Sequence, residues 1–233
     1  MTTQYKGKNF SILGDSLSTL EGYNPVEYEV YYKGYVKWEA DVFAPEDCWW
    51  GQVIDALDGK LLVNDSWSGS LVCKHPDCEI ESYGCSDART AALAGNGQMP
   101  DVIMVLIGLN DFGMGMQLVP NQYKNGLDVF AVAYDRMLEK LKGHYPNAEI
   151  WCMTLPLGYL PSNPDYIPPL CRCGGHITDY NRIILKCAES AGCKTIGLYQ
   201  PQNPYASLEG YHPTAQGMRT IAQTVLEQVE GWQ

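Results

Sequence analysis

A chain of 233 residues with 45% hydrophobic and 18% charged residues has room for a full core and is neither disordered nor fibrous. Its formal charge of −11 argues against nucleic acid and anionic membrane surfaces as partners, because both would repel it. No apolar run is long enough to span a bilayer, and residues 1–8 lack the apolar stretch of a secretory leader, so a cytoplasmic protein is expected.

In chain order, residues 8–13 read as a first strand with 10–13 as its apolar core. Residues 49–57 read as a helix stopped by Asp58-Gly59, 61–64 as a second strand, and 86–94 as a helix ending at Gly95. Residues 101–107 are almost continuously apolar, the pattern of a strand buried on both faces. The spacing of Phe130, Ala133, Tyr134, Met137, Leu138 and Leu141 predicts a helix over 125–142, closed by Gly143. A fourth strand follows at 149–153. A helix at 178–191 has Thr178 or Asp179 near its start and Gly192 after its end, and a short fifth strand covers 194–196. The last helix, 214–230, turns Met218, Ile221, Ala222, Val225 and Val229 inward.

Strands alternating with helices imply parallel pairing through right-handed crossovers. The expected fold is a three-layer α/β/α domain with a mostly parallel five-stranded sheet. No repeat or linker divides the chain, so residues 1–233 are expected to form a single domain. Two segments stand outside the alternation. Segment 18–47 carries Tyr23, Tyr28, Tyr31, Tyr32, Tyr35 and Trp38, and alternation over Glu27-Tyr28-Glu29-Val30-Tyr31 predicts a hairpin. Its rings suit sugar faces and acyl chains, and equally a hairpin packed on the domain for stability. Segment 155–177 is rich in Pro and Gly. Both are expected to wall a pocket on one rim of the sheet.

Open α/β sheets place their sites beyond the carboxyl ends of the strands. Ser16 follows the first strand in Gly14-Asp15-Ser16-Leu17, Gly69 the second in Trp67-Ser68-Gly69, and Asn110 the third in Gly108-Leu109-Asn110-Asp111. Acyl transfer needs a nucleophile with a base and fixed donors for the oxyanion. The donors available are the Ser16 and Gly69 N–H groups and the Asn110 amide. Of four histidines, His144 sits in a helix-end turn, and His75 and His176 lie within cysteine clusters. His212 precedes Pro213 at the entry to the last helix, and Glu209 stands three residues before it, where a carboxylate can orient an imidazole toward serine. Asp15 and Asp111 are expected to hold turns by accepting backbone N–H groups.

Nine cysteines include two local clusters, Cys73/Cys78/Cys85 beside His75 and Cys171/Cys173 beside His176. Thiols in a reducing cell are the simplest reading, because neither cluster has paired Cys-x-x-Cys spacing. A structural zinc or a disulfide are the alternatives.

Taken together, Gly14-Asp15-Ser16-Leu17, the Gly69 turn, Gly108-x-Asn110-Asp111 and the late His212-Pro213 resemble the four blocks of the SGNH (GDSL-type) hydrolases, in the family's order across residues 8–217. The resemblance implies a flavodoxin-like fold and ester hydrolysis with no metal or cofactor. It implies Ser16 as nucleophile, Gly69 and Asn110 as oxyanion donors and His212 as base. Glu209 stands where the family usually has Asp, which makes the expected triad Ser-His-Glu. The expected substrate is a small-molecule ester with a short acyl group, an acetylated sugar being preferred. A lysophospholipid or thioester is the second choice. A catalytically silent binding domain on the same fold should have lost Ser16, His212 or Asn110, and none is lost.

Overall fold

The computed structural model describes residues 3–34, 41–75, 81–163, 165–166, 171–172 and 175–232. Five strands form one sheet: β1 (Asn9–Gly14), β2 (Lys60–Ser66), β3 (Val102–Leu106), β4 (Glu149–Met153) and, after the short β5 (Gly158–Tyr159), β6 (Lys194–Ile196). Their order is β2-β1-β3-β4-β6 and every pairing is parallel. The β3 strand is buried at every residue, which explains its uninterrupted Val-Ile-Met-Val-Leu sequence. A second small sheet pairs β5 with β7 (Tyr205–Ala206), also in parallel.

The connections cross to β2 on one side of β1 and to β3, β4 and β6 on the other. With right-handed crossovers this reversal puts helices on both faces. Helix α1 (Trp49–Ala56) packs against α6 (Ala215–Glu230), while α4 (Phe130–His144) packs against α2 (Asp87–Ala91) and α5 (Ile177–Ser190). The short α3 (Leu109–Met114) follows β3 directly. The buried faces of α4 and α6 contain the apolar residues that their spacing predicted. The reversal lies between β1 and β3, where a doubly wound sheet opens its crevice.

Several boundaries differ from expectation. Helix α4 begins at Phe130 and not at 125, because Gly126 accepts a turn hydrogen bond from Val129 N–H and Gln117 bridges Val129. Helix α2 is only five residues long, capped by Ser86, whose Oγ accepts the Arg89 N–H at 3.1 Å. The N-cap of α5 is His176, which accepts from Thr178 N–H, while Asp179 accepts the His176 N–H in return. Thr214 caps α6, so Pro213 precedes the helix instead of opening it.

The hairpin expected at 27–31 does not form. That segment's backbone is engaged elsewhere: Ser68 N–H donates to Glu29 O at 2.8 Å and Glu21 N–H to Tyr32 O at 2.9 Å. Its rings pack on the domain. Tyr28 stacks on Trp67 with centroids 3.9 Å apart, and Tyr32 is fully buried with its hydroxyl on Pro213 O at 2.8 Å. Tyr35 and Trp38 lie outside the described residues.

Candidate active site

Ser16 opens a single 3-10 turn at the end of β1. Asp15 caps that turn by accepting the Leu17 N–H at 3.2 Å, as expected of a turn aspartate. Burial pushes the Asp15 carboxyl up to about 6 against that bond. All three residues of the turn, Ser16, Leu17 and Ser18, are buried, so it has little freedom to move.

His212 arrives on a tight loop closed by Leu208 N–H donating to His212 O at 2.8 Å. Its Nε2 lies 2.8 Å from Ser16 Oγ, and its Nδ1 faces Glu209 Oε1 in a short contact. The same carboxylate oxygen accepts the His212 backbone N–H at 3.1 Å. Burial pushes the Glu209 carboxyl up, but the hydrogen bond and charge of His212 outweigh it and hold the group below its ordinary range. Ser16, His212 and Glu209 therefore form a continuous chain of contacts.

The oxyanion candidates converge on the same rim. Gly108 adopts φ +126° at the N-cap of α3, a conformation that glycine accepts readily and that places Asn110 on the first turn facing the cleft. One Asn110 amide hydrogen is spent on Ser70 O at 2.9 Å, which fixes the side chain and leaves the second hydrogen for a ligand. Asp111 accepts the Val72 and Cys73 N–H groups at 2.7 and 3.0 Å, holding the loop after β2 against α3. Burial raises the Asp111 carboxyl to about 6. Gly69 sits in that loop at φ +80°, and among the described residues nothing accepts its N–H. A Cβ there would meet no atom within 4 Å, so it is the backbone conformation, not crowding, that selects glycine.

Two groups essential to this geometry were not singled out from the sequence. Arg89 and Asp65, both fully buried, form an ion pair at the end of β1, where Arg89 also donates to Gly14 O at 3.0 Å. Tyr31 lies flat on His212, with ring centroids 3.4 Å apart and planes 6° apart. The signals were present but unreadable: an arginine on a short helix usually faces water, and Tyr31 was one tyrosine among many.

A cleft of about 340 Å³ is lined by Ser16, Asn110, His212, Leu109, Arg172 and Tyr211, among others. Leu109 and Tyr211 also border a second, apolar pocket of about 130 Å³, walled by Phe112, Leu157, Ile177 and Tyr199. Segment 155–177 thus lines both cavities, as expected. Segment 18–47 lines neither among the described residues; it packs behind His212 instead of over the pocket.

No described cysteine lines either cavity. Cys73 and Cys85 are buried thiols, and burial raises both. Cys78 and Cys173 lie outside the described residues. Among the described residues no group of three His, Cys, Asp or Glu side chains could hold a metal ion. His176 is engaged as a helix cap and His144 ends α4. No described helix is long and apolar enough to cross a membrane.

An α/β sheet with a serine, a histidine and a carboxylate in contact at its carboxyl rim defines a class of hydrolytic domain. The GDSL-like lipase/acylhydrolase family model matches residues 8–156, well over half of the chain, and the chain belongs to that family of ester hydrolases. No curated protein matches in sequence. Among solved structures, a candidate GDSL-like lipase from Bacteroides uniformis is 29% identical, with TM-score 0.72, covering 97% of this chain and 96% of its own. A candidate GDSL-like lipase from Bacteroides ovatus is 24% identical, with TM-score 0.74 and coverage of 97% and 99%. A carbohydrate esterase family 2 enzyme with a carbohydrate-binding domain, from Corynascus thermopiles, shares the fold at 14% identity and TM-score 0.60; the match covers 99% of this chain and 68% of that one.

Proposed function

We propose that the chain hydrolyses small acyl esters, with Ser16 as nucleophile, His212 as general base and acid, and Glu209 as the carboxylate that orients the imidazole. The observation that carries this reading is the unbroken contact from Ser16 Oγ through both His212 nitrogens to Glu209. A serine hydroxyl is a weak nucleophile at neutral pH until a base takes its proton. His212 Nε2 takes that proton as Oγ bonds to the ester carbonyl carbon. The carbonyl electron pair moves onto oxygen, where the Ser16 and Gly69 N–H groups and the free Asn110 hydrogen receive the charge. Collapse expels the alcohol, which leaves with the proton from His212. Water then repeats the sequence on the acyl-enzyme and frees Ser16. The chemistry needs no metal or cofactor.

Cavity size supports a short acyl group or other small apolar substituent. An apolar cavity of about 150 Å³ holds a benzene ring. The pocket beside Leu109 and Tyr211, at about 130 Å³, has room for a group slightly smaller than that and not for a fatty chain. The open, more polar cleft leaves space for a hydroxyl-bearing alcohol such as an acetylated sugar. Arg172 on the cleft wall favours a second reading, a lysophospholipid whose phosphate it would pair.

The test is a series of p-nitrophenyl esters from acetyl to long-chain, with acetylated sugars and lysophospholipid, run beside Ser16→Ala. Acetyl to butyryl esters are expected to be cleaved far better than long ones. A clear preference for long chains or lysophospholipid would overturn the short-acyl reading.

A further inference from the structure

Segment 18–47 contributes to the site through a contact that its composition did not suggest. Tyr31 lies parallel on the His212 imidazole, and its hydroxyl donates to Glu209 Oε2 at 3.3 Å, the oxygen that does not face His212. Burial and the Glu209 charge push the Tyr31 phenol above its ordinary range, so it remains a donor. The Tyr31 backbone N–H donates to Thr19 Oγ1 at 3.0 Å, and that hydroxyl donates in turn to Ser16 O at 2.9 Å. The neighbouring Tyr32 hydroxyl holds Pro213 O, next to His212. One dipeptide therefore ties the turn that carries the nucleophile to the loop that carries the base.

We propose that Tyr31 is a positioning residue of the Ser16–His212–Glu209 array, holding Glu209 in place and presenting its ring face to the imidazolium that forms in the transition state. The inference rests on the reading of those three residues as a triad. It accounts for glutamate at 209. A glutamate has one more rotatable bond than an aspartate and loses more freedom when it is fixed. Its side chain here is 45% exposed, so water competes for it. A hydroxyl on the second oxygen removes that freedom. The flat ring adds a second effect, since an aromatic face stabilises a cation lying over it. Among the described residues, the other charged or titratable groups around the imidazole include Asp15 beside Ser16, Arg172 and Tyr211 on the cleft wall, and Tyr166 and Tyr205 on the Glu209 side.

Two substitutions separate the two effects. Tyr31→Phe keeps the ring and loses the hydroxyl, whereas Tyr31→Leu keeps bulk and loses the aromatic face. The readouts are kcat, KM and the pH profile of kcat/KM on p-nitrophenyl acetate. Tyr31→Phe is expected to lower kcat about fivefold to tenfold with KM little changed. Tyr31→Leu is expected to lower kcat further. It should also move the acidic limb of kcat/KM about half a pH unit lower, because the imidazolium loses a stabilising face. In a Glu209→Ala background, Tyr31→Phe should have no further effect, since the hydroxyl acts through the carboxylate.

An acidic limb unmoved in Tyr31→Leu, or an undiminished effect of Tyr31→Phe in Glu209→Ala, would overturn the proposal. The Phe variant and its double mutant preserve the test if Tyr31→Leu does not fold. Labelling by a fluorophosphonate separates this outcome from failure of the triad itself. A wild-type protein that is not labelled at Ser16 would overturn the triad and the proposal with it. Normal labelling alongside unchanged profiles would overturn the proposal alone.

Discussion

Arg89 Nε lies 2.6 Å from Asp65 Oδ2, and neither side chain has any exposed surface. Besides Ser82 O and Asp65 O, the rest of the guanidinium reaches Gly14 O at 3.0 Å behind the Ser16 turn and Ser70 Oγ at 2.9 Å in the loop that carries Gly69. One planar cation therefore sets the spacing between the Ser16 turn and the Gly69 loop. Lysine could carry the charge but not the fork. Arg89→Met should leave Asp65 buried without its cation and cost about 3–5 kcal/mol, read from urea unfolding. Arg89→Lys should also lower kcat. A lysine variant with full activity would mean that the fork does not position the loops.

Ser16→Ala should abolish hydrolysis and leave the fold intact. The residue lies at a strand end, and its hydroxyl contacts only His212 among the contacts described. The loss should be several orders of magnitude, because the covalent step disappears. Circular dichroism and thermal melting should match wild type. Retention of most activity in the purified variant would exclude Ser16 as nucleophile.

His212→Ala should be nearly as damaging as Ser16→Ala, because base and nucleophile act as one unit. Glu209→Gln should leave a larger remnant, since the imidazole keeps its place and loses a charge partner. Activity should fall on acidification as the base is protonated. A flat profile through the histidine range would rule out His212.

Asn110→Ala should lower kcat about 100-fold to 1000-fold with little change in KM, because the amide bonds oxygen most strongly once it carries charge. Gly69→Ala should lower stability through its positive φ, with no clash to relieve. A rise in KM alone for Asn110→Ala would assign the amide to ground-state binding.

Acid should silence the protein before it unfolds it. Asp15 and Asp111 are raised by burial to about 6 from the ordinary aspartate value of 3.8. Between those values the folded state binds more protons at these two positions than the unfolded chain does. Their contribution to stability therefore grows as pH falls through about 6 toward 4. Glu209 runs the other way: its folded value is depressed, so its contribution is present above the ordinary glutamate range and is lost as pH falls through the depressed value. Melting temperatures from pH 7 to 4 in wild type and Asp15→Asn check this. The variant should lose part of the gain on acidification.

The sheet, most of its helices and the strand-end residues were legible because they follow from short-range rules, whereas His212 and Glu209 were singled out by the resemblance to the SGNH hydrolases and not by local pattern alone. Apolar runs marked the strands, and the strand ends marked Ser16 and Asn110. What escaped was set by tertiary partners. Alternation over 27–31 looks like a strand only until Ser68 takes the Glu29 carbonyl and Thr19 the Tyr31 N–H. The start of α4 was hidden because Gly126 and the bridge to Gln117 compete with a helical pattern that extends past them. The second small sheet, β5 with β7, was invisible because two residues carry no periodicity.

Ser16 and His212 are separated by 196 positions along the chain. The Ser16 turn, the Gly69 loop and Asn110 are all made before residue 111, whereas His212 comes with the segment leading into α6, which docks against α1. On the proposed reading, a chain growing from its amino end carries an unarmed Ser16 until the segment that brings His212 closes over the sheet. Hydrolysis of an activated ester becomes a clock for that final docking. Followed during refolding, turnover should lag behind the recovery of helical signal by the time that α6 takes to find α1.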